Sequence, residues 1–254
     1  MSKVIAIIPA RFNSTRFPGK PLAVLKGKPL IQHVYERAAF ANSVNAVFVA
    51  TDDKRIFDTV TGFGGKAVMT SPSHPCGTNR VAEVAKDIEC DIIVNVQGDE
   101  PFIRPEMVDD VVRIIEEDQS VSISTLVKST SDVKEILSPD VVKVVMDNEG
   151  FAMYFSRSPI PYYRDEWKGL DSITFTTEHA AVFKHIGIYG FRKDALLDFS
   201  GMGQSKLEMI ERLEQLRALS SGMKIKVKET QYDTFGIDRI EDLKKAEKWL
   251  SLSS

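Results

Sequence analysis

Arg11, Arg16 and Lys20 place three cations in one short segment directly after the apolar run Val4 to Ile8. No acidic residue precedes Glu36, although the whole chain carries a formal charge of -3. A basic excess that is local on an acidic chain calls for a local anion. Where a first strand ends, the natural reading is a polyanion held at the carboxyl end of the sheet, as nucleotide phosphates are in open α/β folds. Pro18 and Pro21 fix φ on either side of Gly19 and Lys20, stiffening the loop. Gly19 permits a backbone geometry or close approach that a side chain would block. The loop is not a Walker A motif, because Lys20 is followed by Pro21 and position 14 is Ser rather than the Gly of GxxxxGK[ST]. No GxGxxG fingerprint follows the strand either.

Phosphates held by cations suggest a divalent metal, which needs carboxylates on the same edge. Asp99 follows Val94-Asn95-Val96-Gln97-Gly98, and Gly98 releases the chain at the edge where Arg11 is expected. A helix-capping role does not suit Asp99, since the next helix is expected nearer Pro105. Glu100 is the alternative ligand. For Asp238, the spacing Asp238-Arg-Ile-Glu241 ahead of an amphipathic helix favours a capping box. Asp52 and Asp53 imitate the acid pair of metal-dependent glycosyltransferases, but Asp52 also precedes a helix and capping is favoured there too. Ser205-x-x-Glu208 is another capping box. His74 close to Cys76 invites a nucleophile reading, which nothing else in the chain supports. The 4 histidines, at 33, 74, 179 and 185, have no zinc-type spacing, and the 2 cysteines suit reduced thiols.

These groups need a frame. Val4–Ile8 reads as a strand buried on both faces. Pro29 opens a helix with Ile31, Val34, Tyr35 and Ala38 on one face. Strands at 46–50, 67–69 and 91–96 alternate with helices at about 53–60 and 79–88. This order predicts an α/β fold with a mostly parallel central sheet flanked by helices. Further strands are expected at 121–127, 141–146, 152–155, 182–191 and 224–227. A helix from about Ser205 should end before Gly222, and another from about Arg239 should close the chain. Residues 156–178 form an excursion rich in Pro, Tyr and Trp, whose prolines at 159 and 161 exclude a central strand. Its length suggests a functional or interface role. At 254 residues the chain is expected to form a single large domain, with a smaller strand-rich part over about 130–180. Its 43% hydrophobic and 27% charged residues read as an ordinary soluble protein. The charge argues against a nucleic-acid partner, and no apolar run is long enough for membrane insertion. Residues 1–10 lack signal-peptide features, so a cytoplasmic location is expected.

Five segments carry a resemblance. Arg11-Phe-Asn-Ser-Thr-Arg16-Phe-Pro-Gly-Lys20-Pro-Leu, Gln97-Gly-Asp99-Glu-Pro101, Tyr154-Phe-Ser-Arg157-Ser-Pro-Ile-Pro161, His185-Ile-Gly-Ile-Tyr189 and Leu213-Glu-Gln-Leu-Arg217 occur in order across almost the whole chain. Together they closely resemble the 3-deoxy-manno-octulosonate cytidylyltransferases. The resemblance implies a Rossmann-like nucleotide-diphospho-sugar transferase fold and a magnesium-dependent reaction of CTP with the acid sugar Kdo, releasing pyrophosphate and forming CMP-Kdo for lipopolysaccharide. It also implies a cytoplasmic homodimer. By motif, Arg11, Arg16 and Lys20 would take the triphosphate. Pro9, Ala10 and the 74–80 loop, with His74, Gly77, Thr78 and Arg80, would face the nucleotide. Asp99 and Asp238 would hold Mg2+, against the capping preference for Asp238. Gln97, Arg157, His185, Tyr189 and Glu214 would meet the sugar.

Some of these roles are also plausible unaided. Strand alternation puts His185, Gly187 and Tyr189 on one face, with Gly187 leaving space between the rings. A guanidinium at 157 matches a carboxylate with two parallel hydrogen bonds. The family pattern His-x-Ser-Gly-Thr-Asp-Arg is departed from at Cys76, which loses a strong hydroxyl donor, and at Asn79, which loses a charge. Metal activation of the sugar hydroxyl is preferred over a histidine base. Other acid sugars (8-amino-Kdo, sialic acid), a glycosyltransferase and a non-catalytic CTP-binding protein are the alternatives.

Overall fold

Alternate residues of the first strand, β1 (Val4–Ala10), enter two different cores, which is why every one of them is buried. Val4, Ala6 and Ile8 pack with Ile31, Val34 and Val111 on one face of the sheet. Ile5 and Ile7 pack with Val81, Ala85 and Phe199 on the other. A strand covered on both sides can be apolar at every step, and this one is. The computed structural model describes residues 2–13, 16–167, 169 and 182–252. Residues 170–178 of the Pro- and Tyr-rich excursion, and His179, lie outside them.

After β1 come the short strands β2 (Val24–Leu25) and β3 (Lys28–Pro29), α1 (Leu30–Ala39), β4 (Ala46–Thr51), α2 (Lys54–Gly62), β5 (Ala67–Met69), α3 (Gly77–Lys86), β6 (Ile92–Val96) and α4 (Pro105–Glu117). There follow β7 (Ile123–Thr130), α5 (Val133–Leu137), β8 (Lys143–Met146), β9 (Ala152–Ser156) and β10 (Val182–Arg192). The chain continues through α6 (Lys193–Gly201), α7 (Lys206–Glu211), α8 (Gln215–Ser220), β11 (Ile225–Glu229) and α9 (Ile240–Leu252). The sheet runs β11-β7-β10-β6-β1-β4-β5, with β8 and β9 attached beside β10.

Most neighbours in that order are parallel, as the alternation of strands and helices predicts: β1 with β4 and β6, β4 with β5, and β11 with β7. The departure is β10, antiparallel to both β6 and β7. It therefore begins at the edge where its parallel neighbours end. Gly187 thus lies beside the turn that follows β6, close to Gln97 and Glu100, which brings a late strand to that turn.

The single helix expected from Ser205 is two. Arg212 adopts a left-handed conformation, φ 56°, which ends α7 and re-aims the chain into α8. The capping box itself is present: Ser205 Oγ accepts from the Glu208 backbone N–H at 3.1 Å, and Glu208 Oε2 accepts from that of Ser205 at 3.2 Å. Ser205→Ala should lower stability by about 1 kcal/mol, read as a shift of the urea midpoint at unchanged slope. Asp53, rather than Asp52, caps α2, its carboxylate accepting from the Arg55 backbone N–H at 2.9 Å.

Candidate active site

The basic loop is closed on itself. Gly19 has φ 73°, a conformation that glycine adopts without strain, and its N–H donates to Phe12 O at 2.8 Å. The chain then makes one tight turn, Lys20–Leu22, which directs Lys20 back toward the sheet. Lys20 Nζ donates to Asp99 Oδ2 at 2.7 Å and to Asp238 Oδ1 at 3.1 Å. Arg16 Nη2 also reaches Asp238 Oδ1, at 3.1 Å. Burial opposes the Lys20 charge, but the charges and hydrogen bonds of Asp99 and Asp238 outweigh it and hold the ammonium above the usual lysine pKa.

Asp99 reaches this position because Gly98 lets the turn after β6 press against the end of β1. A Cβ at 98 would stand 2.8 Å from Pro9 O. Asp238 is a correction to the capping assignment. Asp242 Oδ2 accepts from the backbone N–H groups of Asp238 and Arg239 at 3.2 and 3.0 Å, which frees the Asp238 side chain to turn to Lys20.

Two clefts meet here. One, of 370 Å³, is lined by Pro9, Ala10, Arg11, Lys20, Gly77 and Gln97, together with Arg16 and Asp99. The other, of 520 Å³, is lined by Asp238, Lys184, His185, Gly187 and Arg239, again together with Arg16 and Asp99. A group bound at Arg16 and Asp99 is thus open to both. The residues also fit a magnesium ion. Asp99 and Asp238 each direct an oxygen at one cation, the Lys20 ammonium, and two carboxylates completed by substrate phosphates are an ordinary Mg2+ shell. Among the described residues no group of three or more His, Cys, Asp and Glu is gathered at one point, so the two carboxylates are the protein's share of such a shell.

The loop before α3 forms one wall of the first cleft. Arg11 Nη2 donates to His74 O at 3.1 Å, and the His74 ring is bound to Glu83. Thr78 Oγ1 donates to Glu214 at 2.5 Å and accepts from Asn95 Nδ2 at 3.0 Å. Arg80 is turned away from the cleft: its side chain is fully buried, bound to Thr70 and, at 3.0 Å, to Asp52 Oδ2. With Asp52 held by Arg80 and Asp53 by Arg55, the acid pair of the glycosyltransferase reading is engaged structurally.

Cys76 and Asn79 join a buried network. The thiol donates to Asn79 Oδ1 at 2.9 Å, which also accepts from Arg217 Nη1 at 3.3 Å, while Arg217 forms a two-pronged pair with Glu208. Glu208 therefore balances Arg217 where Asn79 carries no charge. Burial, then the Glu214 charge, pushes the Cys76 thiol up to about 12, which removes it as a nucleophile.

The residues assigned to the sugar are divided. Gln97 faces the first cleft and His185 the second. The ring pair is not separated as strand alternation predicts: β10 has a register shift against β7 between Ile186 and Tyr189, and the His185 and Tyr189 rings lie 5.2 Å apart. Gly187 lies instead against Gln97 and Glu100, where a Cβ would stand at ordinary contact distances of 3.5 and 3.9 Å. His185 Nε2 is 2.9 Å from Thr125 Oγ1, and burial presses its pKa to about 3, so the ring is neutral. The Tyr189 hydroxyl is buried with no hydrogen-bond partner among the described residues. It borders a slit shared with Thr78 and Glu214.

Arg157 lies outside both clefts. Its Nε, Nη1 and Nη2 donate to the carbonyls of Glu211, Pro139 and Arg212 at 2.7, 2.7 and 3.4 Å, so the fork that would match a carboxylate holds backbone instead. Lys184, Arg239 and Asp140 line the second cleft and were missed. Lys184 neighbours His185, but alternation assigns it to the opposite face of an ideal strand.

Glu100 also lines the second cleft. Burial, then the Asp99 charge, raises its pKa from 4.5 to about 7 against the opposing hydrogen bond from Thr234. The folded-state value lies above the unfolded one, so the stability tied to this carboxyl is whole below about pH 4.5 and is lost as pH rises to about 7. Urea midpoints should accordingly fall less between pH 5 and 7 in Glu100→Gln than in the unaltered protein. Equal slopes would contradict the shift.

The chain is similar to known proteins over almost its whole length. The family profile described as Cytidylyltransferase matches residues 5–225. The chain is 53% identical to the 3-deoxy-manno-octulosonate cytidylyltransferase of Geotalea uraniireducens (strain Rf4), over 96% of this chain and 97% of the relative. It is 51% identical to that of Thermodesulfovibrio yellowstonii (strain ATCC 51303), over 98% and 99%. A solved structure of CMP:2-keto-3-deoxy-manno-octonic acid synthetase complexed with CTP superposes with a TM-score of 0.90 at 42% identity, covering 100% of both chains. The fold alone is shared with 4-diphosphocytidyl-2C-methyl-D-erythritol synthase of Anaerococcus prevotii, TM-score 0.63 at 13% identity over 98% of this chain and 96% of that one. With this likeness running over nearly its whole length, the chain belongs to the family of 3-deoxy-manno-octulosonate cytidylyltransferases.

Proposed function

We infer that this chain transfers CMP from CTP to the anomeric hydroxyl of Kdo, releasing pyrophosphate and forming CMP-Kdo. The observation that carries the reading is the meeting of two clefts at Arg16 and Asp99, which lets a triphosphate on one side face a hydroxyl on the other. The names of the full-length relatives supply the nucleotide and the sugar. In the reaction a bond forms from the sugar oxygen to the α-phosphorus, the bond from that phosphorus to the bridging oxygen breaks, and the hydroxyl proton is released.

Arg11, Arg16 and Lys20 bind the triphosphate and stabilise the charge that collects on the departing pyrophosphate. Pro9, Ala10 and Gly77 give the nucleotide its wall. Asp99 and Asp238 are the residues that would hold Mg2+, and the ion would supply charge stabilisation and a lowered pKa for the attacking hydroxyl. Arg16, Lys184, Arg239 and Lys245 line the second cleft, and among them an acid sugar would find its countercharge. His185, being neutral, offers a ring hydrogen bond and no charge.

We place the protein in the cytoplasm as a homodimer serving lipopolysaccharide synthesis. The dimer reading is supported by exposed apolar side chains on two neighbouring elements, Met153 of β9 and Met209 and Ile210 of α7. Pyrophosphate release measured with magnesium, each of four nucleoside triphosphates, and Kdo, 8-amino-Kdo or sialic acid tests the function. Turnover should require CTP and be greatest with Kdo. Equal turnover with another acid sugar, or none with any, would overturn the assignment.

A further inference from the structure

Asp99 and Asp238 stand on segments far apart in sequence, and neither is held in place by Lys20 alone. The turn after β6 and the segment before α9 are laced together by successive contacts. Thr234 Oγ1 donates to Glu100 Oε2 at 2.7 Å. The Phe235 ring lies 4.7 Å from that of Phe102. The Ile237 N–H donates to Asp99 O at 2.8 Å. Between them Gly236 passes so close that a Cβ there would stand 3.3 Å from Glu100 Oε1 and 3.7 Å from Asp99 O. Among the side chains that make these contacts Glu100 is the ionisable one, and it follows directly on Asp99, whose carboxylate faces Lys20.

We propose that Glu100 and Thr234 form a latch that sets the register of residues 234–238 against the turn after β6, so that the Asp238 and Asp99 carboxylates converge on one cation. Glu100 is thus a positioning residue, acting through Asp238 without being a ligand. A slip of one residue in this lacing would turn Asp238 away and bring Ile237 or Arg239 to its place. Ile237 is fully buried against Leu25, Leu30 and Phe102, which anchors the same register from below. The latch adds the polar half of that anchor, on the side facing the sugar cleft. Groups that orient ligands in this way typically change metal affinity by about 10- to 100-fold when removed.

The inference rests on the metal role of Asp99 and Asp238, and Mn2+ binding read by electron paramagnetic resonance on the whole protein with a non-hydrolysable CTP analogue separates the two. The unaltered protein should bind Mn2+, and Asp238→Asn should lose that binding. Thr234→Val, which keeps shape and removes the hydroxyl, should weaken Mn2+ affinity by about 10-fold. Glu100→Ala should do the same, and Thr234→Ser should restore it. Affinity for the analogue in EDTA should be unchanged in all of them. Unaltered Mn2+ affinity in Thr234→Val would overturn the latch while leaving the metal reading intact. So would equal loss of metal and metal-free nucleotide binding, or failure of Thr234→Ser to restore affinity. Absence of binding by the unaltered protein would overturn the metal reading and the latch with it.

Discussion

Asp99→Asn should reduce pyrophosphate release from CTP and Kdo by about a thousandfold or more, because it removes a full charge from the point where the two clefts join. The change keeps the size of the side chain and an oxygen that can accept from Lys20, whose ammonium now lies 2.7 Å from Oδ2. What it removes is the negative charge that a metal needs, and with it one of the two carboxylates that converge on the site. Stability should change little, since the carboxylate is partly exposed and Asp238 still pairs with the ammonium at 3.1 Å. Steady-state rates at saturating CTP, together with an unchanged thermal midpoint, check both halves. Near-normal turnover would sink the assignment of Asp99, and a collapsed midpoint would mean that its role is structural.

Lys20→Met should lower turnover by about a hundredfold to a thousandfold, the range expected when one donor to developing charge is lost. Its distinguishing mark is a second effect of opposite sign. The Lys20 ammonium lies between Asp99 and Asp238, so a divalent cation must compete with it for the same oxygens. Methionine keeps the apolar stem and removes that competitor. Mn2+ binding without nucleotide should therefore become tighter in Lys20→Met, while binding of CTP weakens. By linkage, the gain in metal affinity that CTP confers should shrink in the same variant. Weaker Mn2+ binding by Lys20→Met without nucleotide would show that the ammonium assists the metal and does not compete.

Much of this site is legible in sequence because its first half is local. Arg11, Arg16 and Lys20 follow a strand whose uninterrupted apolar run can mean little else, and Gly98 marks the turn that carries Asp99. The less legible part depends on partners distant in sequence. Asp238 and Glu241 have capping-box spacing, yet Asp242 takes the backbone donors, and spacing cannot tell which of two nearby acids will do so. Asp52 likewise satisfies a local rule, but Arg80, buried beneath it, takes its charge. Arg157 has the right chemistry for a carboxylate, and only folding reveals three carbonyls already at its donors. The bulge in β10 shifts register between Ile186 and Tyr189, and the His185 and Tyr189 rings lie together across it; Lys184, ahead of the bulge, lines the cleft together with His185, Ile186 and Gly187. The direction of β10 is hidden for the same reason: period-two apolarity does not encode which way a strand runs.

The contact between Lys20 and Asp238 spans 218 residues. Synthesis adds about 5 to 20 residues per second, so roughly 10 to 40 s separate the emergence of the two groups during translation. For that interval the nascent chain carries its cationic loop with one of its two carboxylate partners still unmade. A pairing this remote in the chain cannot contribute until nearly all other loops are closed. The site therefore forms only after both ends of that 218-residue span have been made and have met.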